Sequence, residues 1–176
     1  MAPTRDQLLT TARALCAAFA SAAPVPTLLS HFSATYQISA REHGLPLLAP
    51  FLGRTFAGRS GPNSVQAYFE LLRQHLTFRN MEFVGWTVDA EASRVCVRGH
   101  ATFEWTEGEG KGQVWNEVFV YMLDFDEGAR VTDYQVWADS GAAYLARRGT
   151  LLQQRKEFEA SENGAKADDP APPYVE

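Results

Sequence analysis

Two runs of strand-forming residues, 114–125 and 131–138, stand on either side of the short acidic turn Asp126-Glu127-Gly128-Ala129. β-Branched and aromatic side chains fill both runs, and the Gly-bearing link between them is of hairpin length. The first run constrains the fold most, because it is apolar on both faces. Trp115, Phe119, Tyr121, Leu123 and Phe125 alternate with Val114, Val118, Val120 and Met122. A hairpin wetted on one side alternates more cleanly between apolar and polar. Each face of this strand therefore needs a cover: helices on one side and a second subunit on the other.

The chain before the hairpin supplies the helices. Thr4 and Gln7 have the spacing of a reciprocal helix cap, and Leu8, Leu9, Ala12, Leu15, Cys16 and Phe19 then recur at helical period. Pro24 and Pro26 end that helix. A second short helix is expected over 27–32, and Tyr36-Gln37-Ile38-Ser39 reads as a brief strand. Residues 44–63 are dense in Gly and Pro and read as an ordered loop, unusually apolar through Leu47, Leu48, Phe51, Leu52 and Phe56. A third helix is expected over 63–76. Strands over 81–88, 94–105, 113–125 and 131–138 follow as a meander, and a last helical turn over 141–147. The order ααβαββββ sets helices apart from strands and predicts an α+β fold: a cone-shaped, curved, mostly antiparallel sheet packed by three N-terminal helices. Residues 1–148 are expected to form this single domain, and 149–176 a helical extension ending in a disordered polar tail.

A formal net charge of −5 argues against nucleic acid as a partner, since phosphate binding needs a basic surface. The longest apolar stretch, around 12–25, contains Arg13, Ser21 and Pro24 and is too short and interrupted to span a bilayer, so no membrane association is expected. Cys16 and Cys96 fall in different predicted elements. Free thiols and a cytoplasmic setting are the expectation. His31, His43, His75 and His100 show no metal-ligand spacing, and no cofactor motif is present. The run Gly53-Arg54-Thr55-Phe56-Ala57-Gly58-Arg59-Ser60 approaches a phosphate loop, but Arg replaces its Lys and Gly61-Pro62 follows where a helix should start. It reads as a turn leading into the third helix.

Gly58, Val65 and Tyr68-Phe69, then the strand series, then Arg130-Val131 opening a final strand that ends Trp137-Ala138-Asp139, resemble the nuclear-transport-factor-two-like superfamily. Within it the likeness is to SnoaL-like proteins, over about residues 4–148. Enzymes of that superfamily, among them ketosteroid isomerases, limonene-epoxide hydrolases and SnoaL-type cyclases, are cofactor-free and hold a carboxyl inside an apolar cone. Desolvation there raises the carboxyl pKa into the range useful for proton transfer. Matching the strand-terminal acid of the cyclases to Asp139 places their catalytic position at Val136. The isomerase base would fall near Ala40 and its oxyanion-hole Tyr near Cys16. None of these three residues supplies the group the resemblance implies.

The substitutes are Asp139, at the end of the last strand, and Glu117, a charge inside a strand that is apolar on both faces. Each has a structural alternative: Asp139 can cap the following helical turn, and Glu117 can sit in an ion pair or subunit contact. Tyr36, Trp115, Tyr121, Tyr134, Trp137 and His43 are the candidate ligand-binding residues, as rings lining a site for a flat hydrophobic small molecule. Two functions stay open. One is a cofactor-independent isomerase, cyclase or lyase-type enzyme working by acid–base transfer. The other is a non-catalytic module that uses the cone for ligand binding or assembly. A homodimer through the sheet is expected in both.

Overall fold

The computed structural model describes residues 2–161. Helix α1 (Arg5–Ala20) begins at the expected cap: the Gln7 N–H donates to Thr4 Oγ1 at 3.3 Å, and the Thr4 N–H donates to Gln7 Oε1 at 2.8 Å. Its buried stripe is Leu8, Ala12, Leu15, Cys16 and Phe19, and it packs on the sheet. Helix α2 is shorter and earlier than expected, at Val25–Leu29, because Pro24 and Pro26 can both be accommodated at a helix start. Helix α3 (Val65–His75) is capped by Ser64, whose Oγ accepts from the Ala67 N–H at 3.2 Å, and buries Val65, Tyr68 and Phe69.

Six strands form one mixed sheet in the order β2-β1-β6-β5-β4-β3. They are β1 (Ser39–Glu42), β2 (Thr55–Ala57), β3 (Leu76–Asp89), β4 (Arg94–Trp105), β5 (Val114–Phe125) and β6 (Val131–Trp137). Strands β3 to β6 form the antiparallel meander, and β1 joins β6 in parallel. Two helices close the described chain, α4 (Ser140–Arg147) and α5 (Leu151–Ser161). The element order is thus ααββαββββαα, with β2 lying inside the segment expected to be loop throughout. Its three residues are too few for periodicity to register. The expected disordered tail lies outside the described residues from 162 onward.

The sheet curves for a local reason. β3 slips register against β4 between Arg79 and Glu82 and again between Val84 and Thr87. Asn80 (φ 54°) and Gly85 (φ 68°) carry the two irregularities. Bulges of this kind bend a strand and increase its twist, which wraps the long β3 edge around the helical layer. The concave side holds the core. Tyr134 sits at its centre, with ring centroids 4.9 Å from Tyr121, 5.6 Å from Phe19 and 5.7 Å from Phe69. Each such aromatic pair adds roughly 0.5–1.5 kcal/mol beyond area burial.

β5 separates its two faces sharply. Trp115, Glu117, Phe119, Tyr121 and Leu123 are buried on the concave side, whereas Val118 (48% exposed) and Val120 (37%) look out from the convex side. The helices cover one face of this strand; among the described residues nothing covers Val118 and Val120 on the other.

Candidate active site

Between the helices and the concave sheet lies a hollow. It contains about 820 Å³ of space between atoms, counting its open mouth, and about 90 Å³ in which the centre of a water-sized sphere can move. Rings form much of the lining, including Phe19, Phe69, Phe103, Trp115, Tyr121 and Tyr134. Strand register brings the polar groups together. On β5, Glu117 and Tyr121 share a face; Tyr121 stands opposite Val136 of β6, which stands opposite Glu42 of β1. Two buried carboxyl groups therefore reach one apolar cavity from two different strands.

Glu42 is the deeper of the two. Burial pushes its carboxyl up to about 8; the hydrogen bond from Tyr68 works against that rise, and the nearby Glu117 charge adds to it. The Tyr68 hydroxyl donates to Glu42 Oε2 at 2.9 Å. Behind Glu42 the chain is pinned by the Gly53 N–H, which donates to the Glu42 carbonyl oxygen at 2.9 Å. Gly53 has φ 72°, and any side chain there would collide with the Gly44 carbonyl. The apolar loop read from the sequence is thus a closed turn that fixes the end of β1.

Glu117 is held differently. Its Oε2 accepts from the Trp115 indole N–H at 2.5 Å and its Oε1 from the Asp139 backbone N–H at 2.6 Å. Burial raises its carboxyl to about 7, the two donors opposing the rise and the Asp139 charge adding to it. Tyr121 and Tyr134 hydrogen-bond to each other, and burial raises both hydroxyls, as it does that of Tyr68. All three stay neutral near pH 7 and available as hydrogen-bond partners.

Of the residues singled out in the sequence, Glu117, Trp115, Tyr121, Tyr134 and Asp139 line this hollow. Asp139 divides its roles: its backbone N–H orients Glu117, while its Oδ1 accepts from the Ala142 N–H at 3.0 Å and caps α4. The other three lie elsewhere. Tyr36 is 51% exposed and hydrogen-bonds to Glu127 in a separate surface cleft. Trp137 (41% exposed) stacks on His43 with centroids 4.1 Å apart, and His43 Nε2 lies 2.8 Å from Gln135 Oε1. The physical reason is strand alternation: Val136 points inward, so Trp137 must point outward. Arg59, from the near phosphate loop, donates to the carbonyl oxygens of Leu29, Phe32 and Ser33 and ties α2 down.

Glu42 was missed in the sequence. Ile38, Ala40 and Glu42 are every-other residues and all buried, so alternation was the available signal. The strand expected at 36–39 ends three residues before the observed β1 does, so Glu42 falls between it and the expected loop at 44–63. The isomerase base expected near Ala40 falls two residues short of it, on the same strand face.

Curved sheet, helical cover and carboxyl-bearing hollow together define the nuclear-transport-factor-two-like fold, and comparison with solved structures agrees. An NTF2-like protein of unknown function from Burkholderia pseudomallei K96243 superposes with TM-score 0.61 at 18% identity, over 77% of this chain and 92% of that one. BvnE pinacolase from Penicillium brevicompactum gives TM-score 0.57 at 16% identity, over 90% and 99%. TerC, co-crystallised with polyporic acid, gives 0.59 at 18%, over 77% and 94%. No protein-family model matches the sequence, and no curated protein is significantly similar to it. Among the described residues no group of three or more His, Cys, Asp or Glu is placed to hold a metal ion, and no helix is long and apolar enough to cross a membrane.

Proposed function

We propose that the protein binds a hydrophobic small molecule in this hollow and isomerises or cyclises it by acid–base transfer, without a cofactor. The observation that carries the proposal is the pair of buried carboxyls, Glu42 and Glu117, raised to about 8 and about 7 and facing one ring-lined cavity. Burial favours the protonated form of both and more strongly at Glu42, and the charge of one raises the other, so the pair shares a proton with Glu42 as its preferred holder. That gives one acid and one base in the same apolar space, the division of labour that proton transfer across a substrate needs. Asp139 serves by positioning Glu117. Trp115, Tyr121 and Tyr134 shape the wall. The neighbours named above as a pinacolase and a polyporic acid complex support a small-molecule reading of the fold.

The test uses 2-tetralone, a bicyclic ketone with exchangeable α-protons, followed by proton NMR in D₂O. The wild type should accelerate exchange over buffer, with a rate that rises as pH passes about 7 and falls beyond about 8. Glu42→Gln and Glu117→Gln should each lower the rate by roughly 10²-fold or more. Binding without any acceleration would favour the non-catalytic reading, and full rates in both variants would remove these two residues from the chemistry.

The convex face supports a homodimer. Val118, Val120 and Trp137 are exposed there, and Val120 and Trp137 are register partners. An exposed apolar patch on a sheet face is the usual mark of an interaction site. Sedimentation at micromolar concentration should give the mass of two chains, and Val120→Glu should give that of one, since a charge in such an interface is left unpaired. A monomeric wild type would overturn the dimer.

A further inference from the structure

We propose that the ligand is an amphipathic acid, an apolar ring system whose carboxylate stays at the mouth of the hollow against Arg73. This rests on the small-molecule reading above and adds the ligand's charge and orientation. The interior has one sign. Glu42 and Glu117 are its buried acids, with the exposed Asp139 also on the lining, and the faces of its many rings are electron-rich, so an anion placed deep would meet repulsion and no countercharge.

The rim is different. Arg73, in the last turn of α3, is the one cationic residue lining the hollow among the described residues. It bridges the mouth: its Nη2 donates to the Ala22 carbonyl oxygen at 3.1 Å and also to that of Ala23, across the turn between α1 and α2. One nitrogen makes both bonds. A guanidinium carries five N–H donors and both of its two-nitrogen forks include Nη2, so the Nε–H and the Nη1–H groups are left to donate singly to a carboxylate. No acidic group among the described residues makes an ion pair with Arg73. Its partners there are neutral carbonyls, and a charged acceptor makes the stronger bond. Leu72, Leu76 and Phe78 line the same hollow as Arg73, Glu42 and Glu117, which gives a ring system apolar surface to follow the carboxylate inward.

The experiment compares 2-naphthoate with its neutral isostere 2-naphthamide by isothermal titration calorimetry at pH 7, in 20 mM and 500 mM NaCl. In low salt the wild type should hold naphthoate tighter than naphthamide, and high salt should narrow the gap. Arg73→Gln should weaken naphthoate by about five- to tenfold and leave naphthamide unchanged, a size set by the partial exposure of the rim. Arg73→Lys, which keeps the charge with fewer donors, should lose only part of the preference. Equal loss for both ligands in Arg73→Gln, or no loss for either, overturns the proposal; the first result would make Arg73 a clamp on the α1–α2 turn. If the wild type binds naphthamide and not naphthoate, the orientation is wrong while the hollow still takes rings. If it binds neither, the small-molecule reading fails and this inference fails with it.

Discussion

Replacing Glu42 by Gln is expected to stabilise the protein at pH 9 and to leave its stability nearly unchanged at pH 5. The carboxyl titrates near 4.5 when unfolded and is pushed up to about 8 by burial in the native state. Between those values the native state binds the extra proton, so stability falls as pH rises through the window and the loss is complete above about 8. The carboxylate that must then be buried costs on the order of a few kcal/mol. Gln is neutral at every pH, and its carbonyl oxygen can still accept from Tyr68, so the variant escapes the loss without orphaning the hydroxyl. Urea unfolding of both proteins at pH 5, 7 and 9, at constant m, measures the widening gap. Parallel stability–pH curves would show that Glu42 is not held as the geometry implies. A residue that weakens the native state at working pH, where Gln would not, is best understood as kept for what it does to a ligand.

How far the sequence reveals this site follows from the range of the interactions involved. Helix α1 was legible because its signals are local: the Thr4–Gln7 cap and a buried stripe at 3.6-residue spacing. β4 was legible for the same kind of reason, and its expected span, 94–105, is its observed one. The doubly apolar β5 announced that both its faces need cover, and among the described residues the concave cover is the one present. What escaped was long-range. Glu42 meets Tyr68 across 26 residues of sequence, and its strand has only four residues, paired in parallel with β6 at the far end of the domain. No local pattern encodes that partner. The inward turn of Val136 and the outward turn of Trp137 were equally open in the sequence, since alternation gives two faces without saying which is the core. Register with β1 decides it, and in doing so sets Glu42 opposite Val136, the position where the resemblance had implied an acid. The cavity's second carboxyl comes from the neighbouring strand.

Glu117→Gln should start from a different offset than Glu42→Gln, a loss of stability that is largest in mild acid and narrows toward alkaline pH. The difference lies in the partners. Each oxygen of Glu117 accepts from its own N–H, one from the Trp115 indole and one from the Asp139 backbone. Gln has a single acceptor oxygen, so one of those donors would face an amide NH₂ and stay unpaired, at a cost of about 1–3 kcal/mol. That cost is independent of pH. Against it stands the wild type's own penalty: a carboxyl with an ordinary value of 4.5, raised to about 7 by burial, loses stability as pH climbs between them and carries the full loss above. At pH 5 the wild type is free of that penalty and the variant suffers alone; at pH 9 both are impaired and the gap closes. Trp115 reports the same titration, because the Glu117 charge appears against its indole N–H. The Trp115→Phe difference emission spectrum should change with a midpoint near 7 in the wild-type background and stay flat in the Glu117→Gln background. A flat wild-type difference spectrum through that range would mean that Glu117 ionises as an ordinary surface carboxylate, and the acid–base pair on which the proposed chemistry depends would not exist.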